Sequence, residues 1–135
     1  MNFRLATTSA VLALIVVVVP VLAHHSVQAQ FDLNKPITLT GKVTKVEWIN
    51  PHSYLLMEVT DDKGTAKRWA FEMAGPGALR KSGLSRADRG GLKAGDIVTV
   101  NGVLAKDGSD LGLLKDIKLP DGRVFTVWTN DPYAR

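Results

Sequence analysis

From Ile37 onward the chain is a succession of short segments in which apolar and polar residues alternate, each cut off by Gly, Asp, Asn or Pro. A period of two is the mark of strands that bury one face, and it leaves few architectures open. Ile37, Leu39, Val43 and Val46 stand among Thr38, Thr40, Lys42, Thr44 and Lys45 and predict a first strand, with Gly41 where a bulge or sharp bend would sit. Asn50-Pro51 ends it in a turn. Ser53 to Thr60 predicts a second strand, Asp61 to Gly64 a hairpin turn, and Lys67 to Met73 a third strand with Trp69 and Phe71 on one face. Gly75-Pro76-Gly77 then opens a short helix, Ala78 to Lys81 at least, since proline suits a first helical turn. Leu92 to Asp96 leads into a fourth strand, Ile97 to Leu104. Lys106 to Ser109 turns the chain into a fifth near Leu111 to Leu119, and Pro120 to Gly122 precedes Val124 to Trp128.

Three strands, a helix, then two or three strands is the order of an all-β fold with one short helix, a small OB-like Greek-key β-barrel. A small β-sandwich is the competing architecture. A length of 135 residues without internal repeats allows one such domain, which we place at residues 37–135. With no cysteine, disulfides, thiolate metal sites and cysteine nucleophiles are excluded. Lys plus Arg number 17 against 13 Asp plus Glu, a formal charge of +4, too mild and too dispersed to suggest a nucleic-acid partner.

The segment before the strands has a different character. Arg4 is the only charge before Asp32, and an apolar run from Ala10 to Ala23 follows it. A positive start, a short apolar stretch and small residues at its end read as a secretory signal peptide over residues 1–23. The run is shorter than the roughly 20 residues that span a bilayer, so no stable membrane span is expected after cleavage. Val21 and Ala23 supply the small residues of a cleavage site that would leave His24 at the new N-terminus; Val27 and Ala29 form a second such site. The expected compartment is the periplasm, or the cell exterior. Residues 24–36 show no sustained period and read as an extended N-terminal arm.

His24-His25-Ser26, Phe31-Asp32, Lys35-Pro36 and Leu39 to Val43 lead into Glu47-Trp48-Ile49-Asn50-Pro51-His52. With Gly95 to Gly102 and Ala105 to Gly108, this series resembles a family of small exported bacterial proteins classed as a domain of unknown function. The chain departs from that pattern at Leu84 to Gly91, where a Trp is expected near Leu84. The resemblance implies export and this fold, and brings no established activity.

All three histidines lie in two places, His24 and His25 at the expected mature N-terminus and His52 in the turn after the first strand. Imidazole is the commonest protein metal ligand and suits copper, zinc and nickel. If cleavage exposes His24, its α-amino group and ring Nδ1 can chelate one ion, with His52 completing a T-shaped site and His25 as an alternative or additional ligand. That arrangement resembles the histidine brace of copper monooxygenases and periplasmic copper carriers, and copper(II) is the metal it favours. An arm of this length can reach across a small barrel. The plainer alternative makes the His pair a solvated tail and His52 a turn residue bonded to the backbone.

Other constellations are weaker. Glu47 and Glu58 on neighbouring strands form a pair of a kind commonplace on exposed sheets, and no nucleophile elbow, P-loop or dinucleotide fingerprint occurs. Trp48, Tyr54, Trp69, Phe71, Phe125 and Trp128 could offer a stacking platform, but in so small a barrel most should be core. Arg80, Lys81, Arg86, Arg89 and Lys93 against Asp88 make a basic stretch, read as a solvated helix and loop, with anionic lipid or glycan as the alternative partner. The reading is therefore of an exported protein of unestablished activity, with no sequence signature of an enzyme, for which copper binding through His24, His25 and His52 is the sharper hypothesis. Its rival is a metal-free ligand- or protein-binding or envelope-stress module using the face around Trp48, Tyr54 and Trp69. A copper oxidase, the third class, would need an open coordination position and a substrate groove.

Overall fold

The computed structural model describes residues 27–129 and Pro132. The expected signal peptide, His24 and His25 lie outside the described residues. A single helical turn, α1 (Val27–Gln30), leads into β1 (Phe31–Glu47), β2 (His52–Thr60) and β3 (Ala66–Ala74). A short helix α2 (Pro76–Lys81) and a 3-10 turn (Ala87–Arg89) precede β4 (Ile97–Ala105), β5 (Leu111–Lys118) and β6 (Val124–Thr126). β1 pairs antiparallel with β4 along its first half and with β2 along its second, and β5 pairs with β4, β6 and, in parallel, β3. The sheet thus closes into a ring in the order β1-β2-β3-β5-β4-β1, with β6 added at the margin. A mostly antiparallel ring with one short helix between its third and fourth strands is the OB-like architecture expected from the sequence.

β1 can serve two partners because it bends. Its register against β2 shifts between Val43 and Lys45, two residues beyond the glycine at which the sequence pattern places the irregularity. Gly41 has another reason to be glycine: a Cβ there would lie 2.4 Å from the Glu58 carbonyl oxygen, so the crossing strand leaves no space for a side chain.

The interior of the ring is apolar. Val43, Leu55, Met57, Phe71, Met73, Val98, Val100, Leu114 and Ile117 fill it, and Leu79 of α2, with Leu84 and Leu92 of the following loop, closes one end. A second, smaller cluster lies apart, where Phe31, Val103, Ala105 and Leu113 pack with Val27, Leu33, Leu111 and Trp128. It explains why the first strand begins at Phe31 and not, as the alternation predicts, at Ile37. Phe31 is 1% exposed. Burying its ring stabilises by about 1.5–3 kcal/mol, enough to hold a stretch without alternation in the sheet opposite Ala105. Pro36 takes up pairing again opposite Val103 after a register shift.

Candidate functional site

His52 is the first residue of β2, delivered by the turn that contains a cis Asn50–Pro51 peptide. The β2–β3 register sets His52 opposite Ala74 and Tyr54 opposite Glu72. Residues two apart share a face, so His52, Tyr54 and Glu72 stand together on the outside of the ring, with His52 and Glu72 on a diagonal. Gly75 brings the turn close to the start of α2. A Cβ at this position would sit 2.7 Å from the Pro51 carbonyl oxygen and 3.0 Å from the Asn50 side-chain oxygen.

Glu72 is only 5% exposed although it faces outward. A buried carboxylate must be partnered, and this one is. One oxygen lies 2.5 Å from His52 Nδ1 and the other accepts a longer hydrogen bond, 3.4 Å, from the Tyr54 hydroxyl. Burial, then the neighbouring charge of Glu72 and its hydrogen bond, hold the Tyr54 hydroxyl above the usual tyrosine pKa. Trp128 reaches His52 from the C-terminal part of the chain. Its ring meets the His52 ring edge-on at 5.4 Å between centroids, and its indole N–H donates to the Leu114 carbonyl at 2.6 Å. With Ala74 and Ala78 too small to fill the space, a shallow cavity of about 340 Å³ remains beside His52 and Trp128.

The arrangement fixes the imidazole. Nδ1 donates to Glu72, and Nε2 has no partner among the described residues, on a side chain 36% exposed. A histidine oriented by a carboxylate through one nitrogen can offer the other to a metal or a proton. Among the described residues no group of three or more His, Cys, Asp or Glu stands together as a metal site, so His52 needs further donors to hold an ion.

The aromatic residues of the rival reading are not brought to one place. Tyr54 faces outward beside Glu72. Trp69 lies opposite Met57 on the inner face of the ladder, stacked on Phe71 at 6.0 Å with Lys67 over its ring. Trp48 packs against the core near α2, with the Arg86 guanidinium 5.8 Å from its ring. Glu47 is engaged by Lys45 at 2.7 Å, and Glu58 stands between Lys42 and Arg68 in the register, as exposed sheet carboxylates do. Ser53 is buried and its hydroxyl donates to the Ile49 carbonyl at 3.4 Å. Sequence reasoning missed Glu72 and Trp128 as members of the His52 site. The signal within reach was a carboxylate at an outward position of a strand paired with the one that His52 begins.

No helix among the described residues is long and apolar enough to cross a membrane. Comparison with curated proteins and with solved structures gives no match. A family profile does match, over residues 11–115, and from the turn that presents His52 to the strand that carries Glu72 the site falls within that span: the chain belongs to the family described as "Family of unknown function (DUF6152)".

Proposed function

We propose that this is an exported metal-binding protein, with His52 as one ligand and the amino group and imidazole of His24 as the others, and with copper(II) as the ion. The observation that carries the reading is the hydrogen bond from His52 Nδ1 to the nearly buried Glu72, which leaves Nε2 as the ring's donor. Carboxylate partners of this kind fix the tautomer and raise the basicity of ligating histidines. Two further features support it. The described chain begins at Val27, packed on the same cluster that takes Trp128, and Trp128 in turn touches His52. His24 is three residues before Val27, within about 10 Å of extended chain. The donor set, an amine with imidazoles and no thiolate, suits copper(II) above zinc or nickel in the usual affinity order.

When bound, the metal would supply Lewis acidity or a redox couple. The residues here do less: His52 donates a nitrogen, Glu72 holds its ring, and Trp128 shields one side. Intact mass of the protein purified from the periplasm, before and after one equivalent of Cu(II), tests the reading. A chain starting at His24 that keeps one copper against a competing chelator is the expected result. Retention should be lost in His24→Ala, in His52→Ala and with one extra residue ahead of His24, while Glu72→Gln should weaken it about 10- to 100-fold. A chain starting at Gln30, or a His24 start that retains no copper, overturns it and leaves a metal-free binding module.

A further inference from the structure

On the other side of α2 from His52 a second recess, of about 190 Å³, is lined by Trp48, Arg80, Ser85, Arg86, Asp88 and Arg89, with Pro76 and Leu84 at its base. Three arginines and one aspartate line it. Among the described residues none of the three makes an ion pair or donates a side-chain hydrogen bond; only the face of Arg86 is occupied, by the Trp48 ring. A guanidinium lying on an aromatic ring keeps its N–H edge free, and that edge matches two oxygens of one anion.

Arg80 stands on α2, and the loop that presents Arg86 and Arg89 is built. Leu84 and Leu92 are buried at its two ends. Between them the Leu92 N–H donates to Ser85 at 2.9 Å, and the Gly91 and Arg89 N–H groups both donate to the Arg86 carbonyl at 3.0 Å. With Arg80 of α2 beside them, the arginines of this recess outnumber Asp88 three to one, an excess of positive charge that favours an anion.

We infer that this recess binds a phosphate group, a dianion whose terminal oxygens can accept from several guanidinium edges at once. The recess has room for the phosphate and a small part of whatever carries it. The phosphate could belong to a soluble phosphomonoester or to a lipid headgroup. This inference does not depend on the metal reading.

The test titrates the full chain with inorganic phosphate at low ionic strength, following backbone amide and arginine Nε–H resonances. Phosphate should shift Arg80, Arg86 and Arg89 saturably, with chloride at equal ionic strength leaving them in place. Arg86→Ala and Arg89→Ala should each weaken binding about tenfold, the loss of one charged hydrogen bond. Asp88→Asn should strengthen it, and His52→Ala should leave it unchanged. Glycerol phosphate and vesicles containing phosphatidic acid, both phosphomonoesters, then separate the two sources: the soluble ester alone assigns a free metabolite, and the vesicles alone assign a membrane. Binding insensitive to both arginine substitutions, or citrate bound where phosphate is not, overturns the proposal.

Discussion

Successive residues of β2 and β3 point to opposite sides of one ladder, and the two sides bury their side chains in different ways. Inside, Leu55, Met57, Phe71 and Met73 are shielded from water by other apolar groups. Outside, Glu72 is nearly as shielded, yet it is held by a histidine and a tyrosine, with Trp128 packed against the histidine. Apolar burial scales with area and asks little of direction, so the inner face supplies stability without leaving chemistry behind. A buried carboxylate needs its donors at set distances, and meeting that need orients His52 and leaves its second nitrogen uncommitted. One ladder thereby separates holding the fold from presenting a reactive group.

The largest effect should come from the inner face. Phe71 is fully buried, and its ring rests against Gly112, where even a Cβ would come within 2.5 Å of it. Phe71→Ala should cost about 3–5 kcal/mol in urea unfolding, the range for a large aromatic lost from a close-packed core. If the faces are independent, the folded variant keeps the His52–Glu72 contact, visible as an unchanged His52 Nδ1 proton resonance at low temperature. A variant that loses that resonance while still folded would merge the two faces into one unit.

On the outer face the expected loss is smaller and differently distributed. Glu72→Ala removes the acceptor of His52 and Tyr54, both of which can turn to water, so about 1–3 kcal/mol is expected. A double-mutant cycle with His52→Ala sharpens the comparison. Residues sharing a hydrogen bond should couple by about 0.5–3 kcal/mol, whereas Phe71→Ala and His52→Ala should add. Coupling near zero for the Glu72–His52 pair would mean that Glu72 is held by packing alone.

How much of this was readable from the sequence follows from what periodicity can carry. Alternation placed the strands and put Trp69 and Phe71 on one face, and the turn residues placed α2 between β3 and β4. It could not find the strand residues Phe31 to Pro36, because Phe31 and Leu33 bury themselves in the outer cluster rather than along the ring's interior. Nor could it find the site beyond His52. In Arg68 to Met73 the glutamate reads as a solvent-facing residue, since alternation reports which side a side chain is on and not whether something covers that side. Nor does it report Trp128, which tertiary folding brings against His52. Alternation also relates residues within one strand only. That Tyr54 faces out while Trp69 faces in depends on the register of the hairpin, which pairs Tyr54 with Glu72 and Met57 with Trp69.

The smallest expected effect concerns Tyr54 and appears only in alkali. Its hydroxyl is held above the ordinary tyrosine pKa, first by burial and then by the charge and hydrogen bond of Glu72. The folded chain therefore keeps this proton at a pH where the unfolded chain releases it. Below the unfolded tyrosine pKa of about 10 both states are protonated and the full contribution is present; as pH rises from there through the folded value it is lost. Tyr54→Phe removes the titrating group and should flatten this part of the stability curve, so wild type should lose stability relative to the variant as pH rises above the unfolded value of about 10. The same comparison made in Glu72→Gln, where the negative neighbour is gone, should show a shallower alkaline loss than wild type, because two of the three causes of the shift are removed or weakened. Urea midpoints at successive pH values would decide it. An alkaline slope equal in all three chains would mean that the outer face does not sense Glu72 as a charge, and the contrast with the inner face would reduce to shape alone.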